Sequence, residues 1–110
     1  MTDLKEKANP TGKSLYDQVK EQIEDWSFIE EGHENHLFRE YIFHSYEECL
    51  AFMNACSGPV VKMDHHPDWR NTHNRLWVKW NSWDTNKQIS HKDVMMAKKM
   101  DEIYNMAFKN

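Results

Sequence analysis

Two adjacent histidines, His65 and His66, stand between Asp64 and Pro67-Asp68-Trp69 in the segment MDHHPDWRNTHNRLWVKW, residues 63–80. Imidazole has an ordinary pKa of about 6.5, so one ring of such a pair can release a proton while its neighbour takes one at neutral pH. That capacity suits acid–base elimination, loss of water in particular. In a regular strand consecutive side chains point to opposite faces, and the pair could not serve one small ligand. Pro67 alters this. It biases His66 towards extended or polyproline backbone and removes a ladder donor, so the strand candidate VVKMDHH must end or bend here. At a bend after Asp64 both rings can face one cavity. The plainer reading, two exposed loop histidines, stands beside this one on sequence alone.

Other chemistries find less support. There is no C-x-x-C and no H-E-x-x-H, and neither His33-x-x-His36 nor His73 completes a recognised ligand set, so no metal is expected. Nor is there a G-x-S-x-G, a P-loop or a G-x-G-x-x-G. Cys49 and Cys56 fall on one helix face about two turns apart, too far to bridge, and are expected to be free thiols in a reducing compartment. A formal net charge of −4 with scattered Lys and Arg lacks the basic footprint of a nucleic-acid binder.

The elements that must position the pair follow from periodicity. At 110 residues, 39% of them apolar and 29% charged, the chain suits one folded domain with one core. Residues 1–13, polar and carrying Pro10 and Gly12, read as a flexible N-terminal arm before a single domain over 14–110. Leu15, Val19, Ile23 and Trp26 share a helical face, and SFIEEGHENHLFREYIFH reads as a hairpin. Ser45 with Glu48 forms a capping box for a second helix that Gly58-Pro59 should stop. NRLWVKWNSW alternates as a strand with large apolar groups on both faces, so both faces should be covered. Ser90 with Asp93 caps a last helix through Val94, Ala97, Met100, Ile103 and Tyr104. The order predicts an α+β fold, an antiparallel sheet of about four strands with three helices packed on one face. No apolar run approaches the roughly 18 residues of a membrane span, and the opening residues have no signal-like core, so a cytoplasmic protein is expected.

His65-His66-Pro67-Asp68-Trp69, followed by Asn74, an alternating strand, Trp83, and Asp93 at a helix start, resembles the pterin-4a-carbinolamine dehydratase family. The likeness runs from Leu15 into the last helix. It implies removal of water from a 4a-hydroxytetrahydropterin, giving the quinonoid dihydropterin during tetrahydropterin recycling after an aromatic amino acid hydroxylase has acted. It implies no cofactor, and a homodimer or homotetramer, for which the Met-rich last helix offers a contact. By the same likeness His65 and His66 are the catalytic pair. Asp64 lies beside them in the substrate pocket, and Asn81, Ser82, Trp83 and Asp84 face it from the end of the next strand.

Three positions depart from the family pattern. Better-known members carry a third histidine where Trp83 stands, although tryptophan also occurs there. Trp83 is either a stacking surface for a flat pterin or a packing residue. An acidic residue usual four before the first histidine is Val61, and an aromatic usual after Trp69 is His73, which could partly replace its packing. Asp93 matches the family aspartate, but closing the Ser90 capping box is the role expected of it here. The alternative function is a catalytically weak member acting as a pterin-binding or protein-assembly partner.

Overall fold

The computed structural model describes residues 9–109, so residues 1–8 of the expected arm lie outside the described residues. The elements run α1 (Gly12–Val19), β1 (Ser27–Glu31), β2 (Glu34–Ile42), α2 (Tyr46–Met63), β3 (Asp68–Thr72), β4 (Arg75–Trp80) and α3 (His91–Ala107). The four strands form one antiparallel sheet in the order β1-β2-β4-β3, as the element order predicts. Alternation decides its faces: Leu37, Tyr41, Leu76, Val78 and Trp80 point at the helices and are fully buried. Phe38, Trp77 and Lys79 occupy the alternate positions on the opposite face. Among the described residues no helix or strand covers that face, and Trp77 is only half-buried. The expectation that both faces of β4 are covered is therefore corrected.

Two further boundaries differ from the periodicity, each for a physical reason. The first helix is short: α1 ends at Val19, one 3-10 turn spans Lys20–Gln22, and Ile23 leaves helical backbone at φ −135°. Ile23 and Trp26 are nonetheless buried. Apolar spacing shows which side chains reach the core, not which backbone carries them there. The helix also starts at Gly12, where φ is +59° and the N–H donates to the Ile89 carbonyl at 2.9 Å, so residues 12 and 13 belong to the folded body.

The second difference matters more for function. Ser45 caps α2 as expected, its Oγ accepting from the Glu48 N–H at 3.1 Å, but Gly58-Pro59 does not stop the helix. Pro59 lies inside α2, which continues to Met63, so VVKM is helix and not strand. An interior proline costs about 3 kcal/mol. Phe52, Cys56 and Val60 keep a continuous buried stripe across it, and burial of such side chains, about 1.5–3 kcal/mol each, offsets that cost. The histidine pair thus follows a helix.

At the far end of the sheet a polar knot ties α3 down. The Asp101 carboxylate accepts from Trp26 Nε1 at 3.0 Å, Arg39 Nη1 at 2.6 Å and Tyr41 Oη at 2.5 Å. Burial and then the Asp101 charge push the Tyr41 hydroxyl well above its ordinary range, so the phenol keeps its proton and donates. The Arg39 guanidinium lies 4.1 Å from the Tyr41 ring centroid.

Candidate active site

The site begins where α2 ends. Asp64 adopts the left-handed conformation, φ 52° and ψ 44°; its N–H donates to the Val61 carbonyl at 3.1 Å, and the His65 N–H to that of Val60 at 3.3 Å. This pair of bonds is the Schellman closure, and it turns the chain sharply off the helix axis. Aspartate tolerates the left-handed region better than most residues. Pro67 then fixes the backbone for entry into β3 at Asp68. The bend after Asp64 is therefore made by a helix cap.

His65 drops from this bend onto the sheet. Its ring stacks on Trp80, centroids 5.2 Å apart and planes at 24°, and its Nε2 lies 2.6 Å from Asp93 Oδ1. Trp80 is in turn fixed from below, its Nε1 donating to Met100 Sδ at 3.3 Å. Asp93 is fully buried and does two jobs. Its Oδ2 accepts from the Ser90 N–H at 2.8 Å, closing the capping box of α3, and from Ser82 Oγ at 2.6 Å. Its other oxygen faces His65. A carboxylate only accepts, so His65 Nε2 carries hydrogen towards it, leaving Nδ1 as the nitrogen that can take a proton.

His65 and His66 border one cavity of about 680 Å³, within the size range of small-molecule sites. His65 is mostly buried and His66 exposed, so one ring is fixed by the protein and the other stands in the opening. Asp64, Asn81, Trp83 and Asp84 also border the cavity. Asn81 spends its amide on the loop, donating to the carbonyls of Asn35 at 3.2 Å and Lys87 at 3.4 Å. Trp83 is 81% exposed at the rim, with Lys87 Nζ 4.7 Å from its ring centroid. Asp84 is exposed and pairs with Lys92 at 3.3 Å. Ser82 does not reach the cavity: it is fully buried beneath it, bonded to Asp93 and Ser90.

Sequence reasoning missed several wall residues and the support of His65. Glu34, Lys79, Lys87 and Lys92 border the cavity, as does Asp68, the cross-strand partner of Lys79. Strand alternation carries the signal for Glu34, Asp68 and Lys79, which it puts on the open face, whereas Lys87, in the loop before α3, and Lys92, on α3, are brought there by the fold alone. Asp93 was expected as a cap, and the structure gives it His65 as well. Val61 is 72% exposed on α2, and His73 is exposed in the β3–β4 turn at φ 53°, so His73 does not replace the packing of an aromatic ring.

The remaining reactive groups lie elsewhere. Burial raises the Cys49 thiol and pushes that of Cys56 up to about 12, which keeps both protonated within the core. His36 is buried on the open side of the sheet, and burial, with Lys79 second, holds it below the ordinary imidazole range. Among the described residues no three His, Cys, Asp or Glu side chains are grouped to hold a metal ion, and no helix is long and apolar enough to cross a membrane.

The fold of four antiparallel strands and three helices matches known proteins. The sequence pattern of the pterin 4 alpha carbinolamine dehydratase family covers residues 9–103, and the chain belongs to that family. A Mesorhizobium japonicum protein named provisionally as a pterin-4-alpha-carbinolamine dehydratase is 32% identical over 83 residues, covering 76% of this chain and 82% of its own. The crystal structure of a Brucella melitensis protein described as a transcriptional coactivator/pterin dehydratase superposes with a TM-score of 0.75 at 25% identity, covering 83% of this chain and 94% of that one. A pterin dehydratase-like protein identified as a RuBisCO assembly factor in the alpha-carboxysome shares the fold, with a TM-score of 0.58 at 19% identity over 70% of this chain and 88% of its own.

Proposed function

We propose that this chain removes water from a 4a-hydroxytetrahydropterin, giving the quinonoid dihydropterin, as a cytoplasmic step of tetrahydropterin recycling. One observation carries the reading: His65, backed by the buried Asp93 carboxylate and stacked on Trp80, borders the same cavity as the freely exposed His66. The reaction breaks the C4a–O bond and an N–H bond on the adjacent ring nitrogen, forms a C=N bond and releases water. His65 is the base, because Asp93 stabilises the imidazolium that forms when its Nδ1 takes the ring-nitrogen proton. His66 protonates the departing hydroxyl, and Trp83 and the Asp64 side of the cavity enclose the pterin ring. The implied homo-oligomer belongs to the same proposal, with Met95, 57% exposed on α3, as one contact.

The test is the absorbance change as enzymatically generated 4a-hydroxytetrahydropterin loses water. The wild-type chain is expected to exceed the uncatalysed rate, and His66→Ala to lose about 10²-fold of that acceleration, the lower end of what a positioned acid supplies. A wild-type rate equal to the uncatalysed one removes the dehydratase reading. The second reading, a pterin-binding or assembly partner without turnover, then takes its place. It is favoured by the exposed Trp83 standing in the third position of the family pattern, since indole exchanges no proton at neutral pH.

A further inference from the structure

The open face of the sheet carries a second hollow, of about 480 Å³, beside the site. Phe38, Arg70 and Trp77 line it, and Asp68 and Lys79 border both this hollow and the histidine cavity. Asp68 and Lys79 are cross-strand partners, and the next outward-facing pair along β3 and β4 is Arg70 with Trp77. The two hollows are thus consecutive steps on one surface, about 7 Å apart at ~3.3 Å per residue.

The chemistry of the second hollow is specific. The Arg70 guanidinium lies 4.6 Å from the Trp77 ring centroid, which fixes a normally mobile side chain. Of the chain's three arginines, Arg39 pairs with Asp101 and Arg75 with Glu40, whereas Arg70 pairs with no carboxylate among the described residues. A guanidinium held on an aromatic floor, with its donors uncommitted to a protein acid, suits an aromatic group that ends in a carboxylate.

We infer that the chain takes a tetrahydropterin bearing an aromatic, carboxylate-terminated tail, the tail crossing the Asp68–Lys79 pair to lie on Phe38 and Trp77 with its acid on Arg70. This rests on the pterin reading of the histidine cavity. A short hydroxylated side chain would stop at Lys79 and leave the second hollow unused.

Calorimetric titration of the full chain with two stable probes tests this: 7,8-dihydrobiopterin, which has a short tail, and 7,8-dihydrofolate, which has an aminobenzoyl-glutamate tail. Dihydrofolate is expected to bind at least about tenfold tighter to the wild type. Arg70→Gln, an exposed substitution, should abolish that advantage while leaving dihydrobiopterin within about twofold, the scale of a contact not made. Equal affinities for the two probes, or equal weakening of both by Arg70→Gln, overturn the inference while the pterin site stands. Binding of neither probe overturns the inference together with the pterin reading. Sedimentation showing that Arg70→Gln dissociates a dimer, with no dihydrofolate advantage in the wild type, would assign the face to a second copy and overturn the inference too.

Discussion

His65→Ala is expected to lower kcat for pterin dehydration by about 10³-fold, and Asp93→Asn by about 10²-fold or more, with KM nearly unchanged in the latter. The asparagine keeps an oxygen for the Ser90 N–H and the Ser82 hydroxyl but turns an NH₂ group towards His65. His65 must then accept at Nε2 and carry hydrogen on Nδ1, the tautomer that cannot take the substrate proton. Because the α3 cap survives, unfolding free energy should fall by only about 1–2 kcal/mol, the difference between charged and neutral hydrogen bonds. In the proposed mechanism Asp93 is a positioning residue that acts through His65. The double variant should be about as slow as His65→Ala alone, since the two act as one unit. Rate losses that multiply, or Asp93→Asn turning over at the wild-type rate, would separate the aspartate from the mechanism.

The second large effect concerns stability. Asp101→Ala should cost about 3–4 kcal/mol, because it leaves the mostly buried Arg39 charge without its main partner and strands the Tyr41 hydroxyl and the Trp26 N–H. The other carboxylate near Arg39, that of Asp25, is 3.6 Å away and 75% exposed, too solvated to replace it. For a domain of this size the loss corresponds to roughly 15–25 °C in Tm, readable by thermal unfolding. A shift under about 5 °C would mean that the knot contributes little. Asp101 and Asp93 share α3 two turns apart, so the same knot helps fix the helix that presents Asp93 to His65.

Much of this architecture was legible because it rests on local signals. The Ser45–Glu48 and Ser90–Asp93 caps, the alternation of Leu76, Val78 and Trp80, and the hairpin around Gly32 each arise from residues within a few positions of one another. The failures arose where tertiary burial overrode a local rule. Pro59 is carried through α2 by the buried stripe on either side of it, and Ile23 and Trp26 reach the core from non-helical backbone. The cavity shows the same division. Its histidines and their bend were readable from Asp64 to Pro67, but the Asp93–His65 contact spans 28 residues and the Trp80 platform comes from another strand. Ser82 illustrates the limit: its position by a strand end suggested the cavity, and its hydroxyl is instead bound beneath it.

If two neighbouring rings share one pterin cavity, one held by Asp93 and the other free, both must respond to the same ligand. Nitrogen-15 NMR of the seven histidines, with and without 7,8-dihydrobiopterin, reads that response. Before ligand is added, His65 should show hydrogen on Nε2. On addition, the ring signals of His65 and His66 should move together, while those of His33, His44, His73 and His91 stay in place. Saturating ligand that leaves the His65 and His66 signals unmoved would contradict the account.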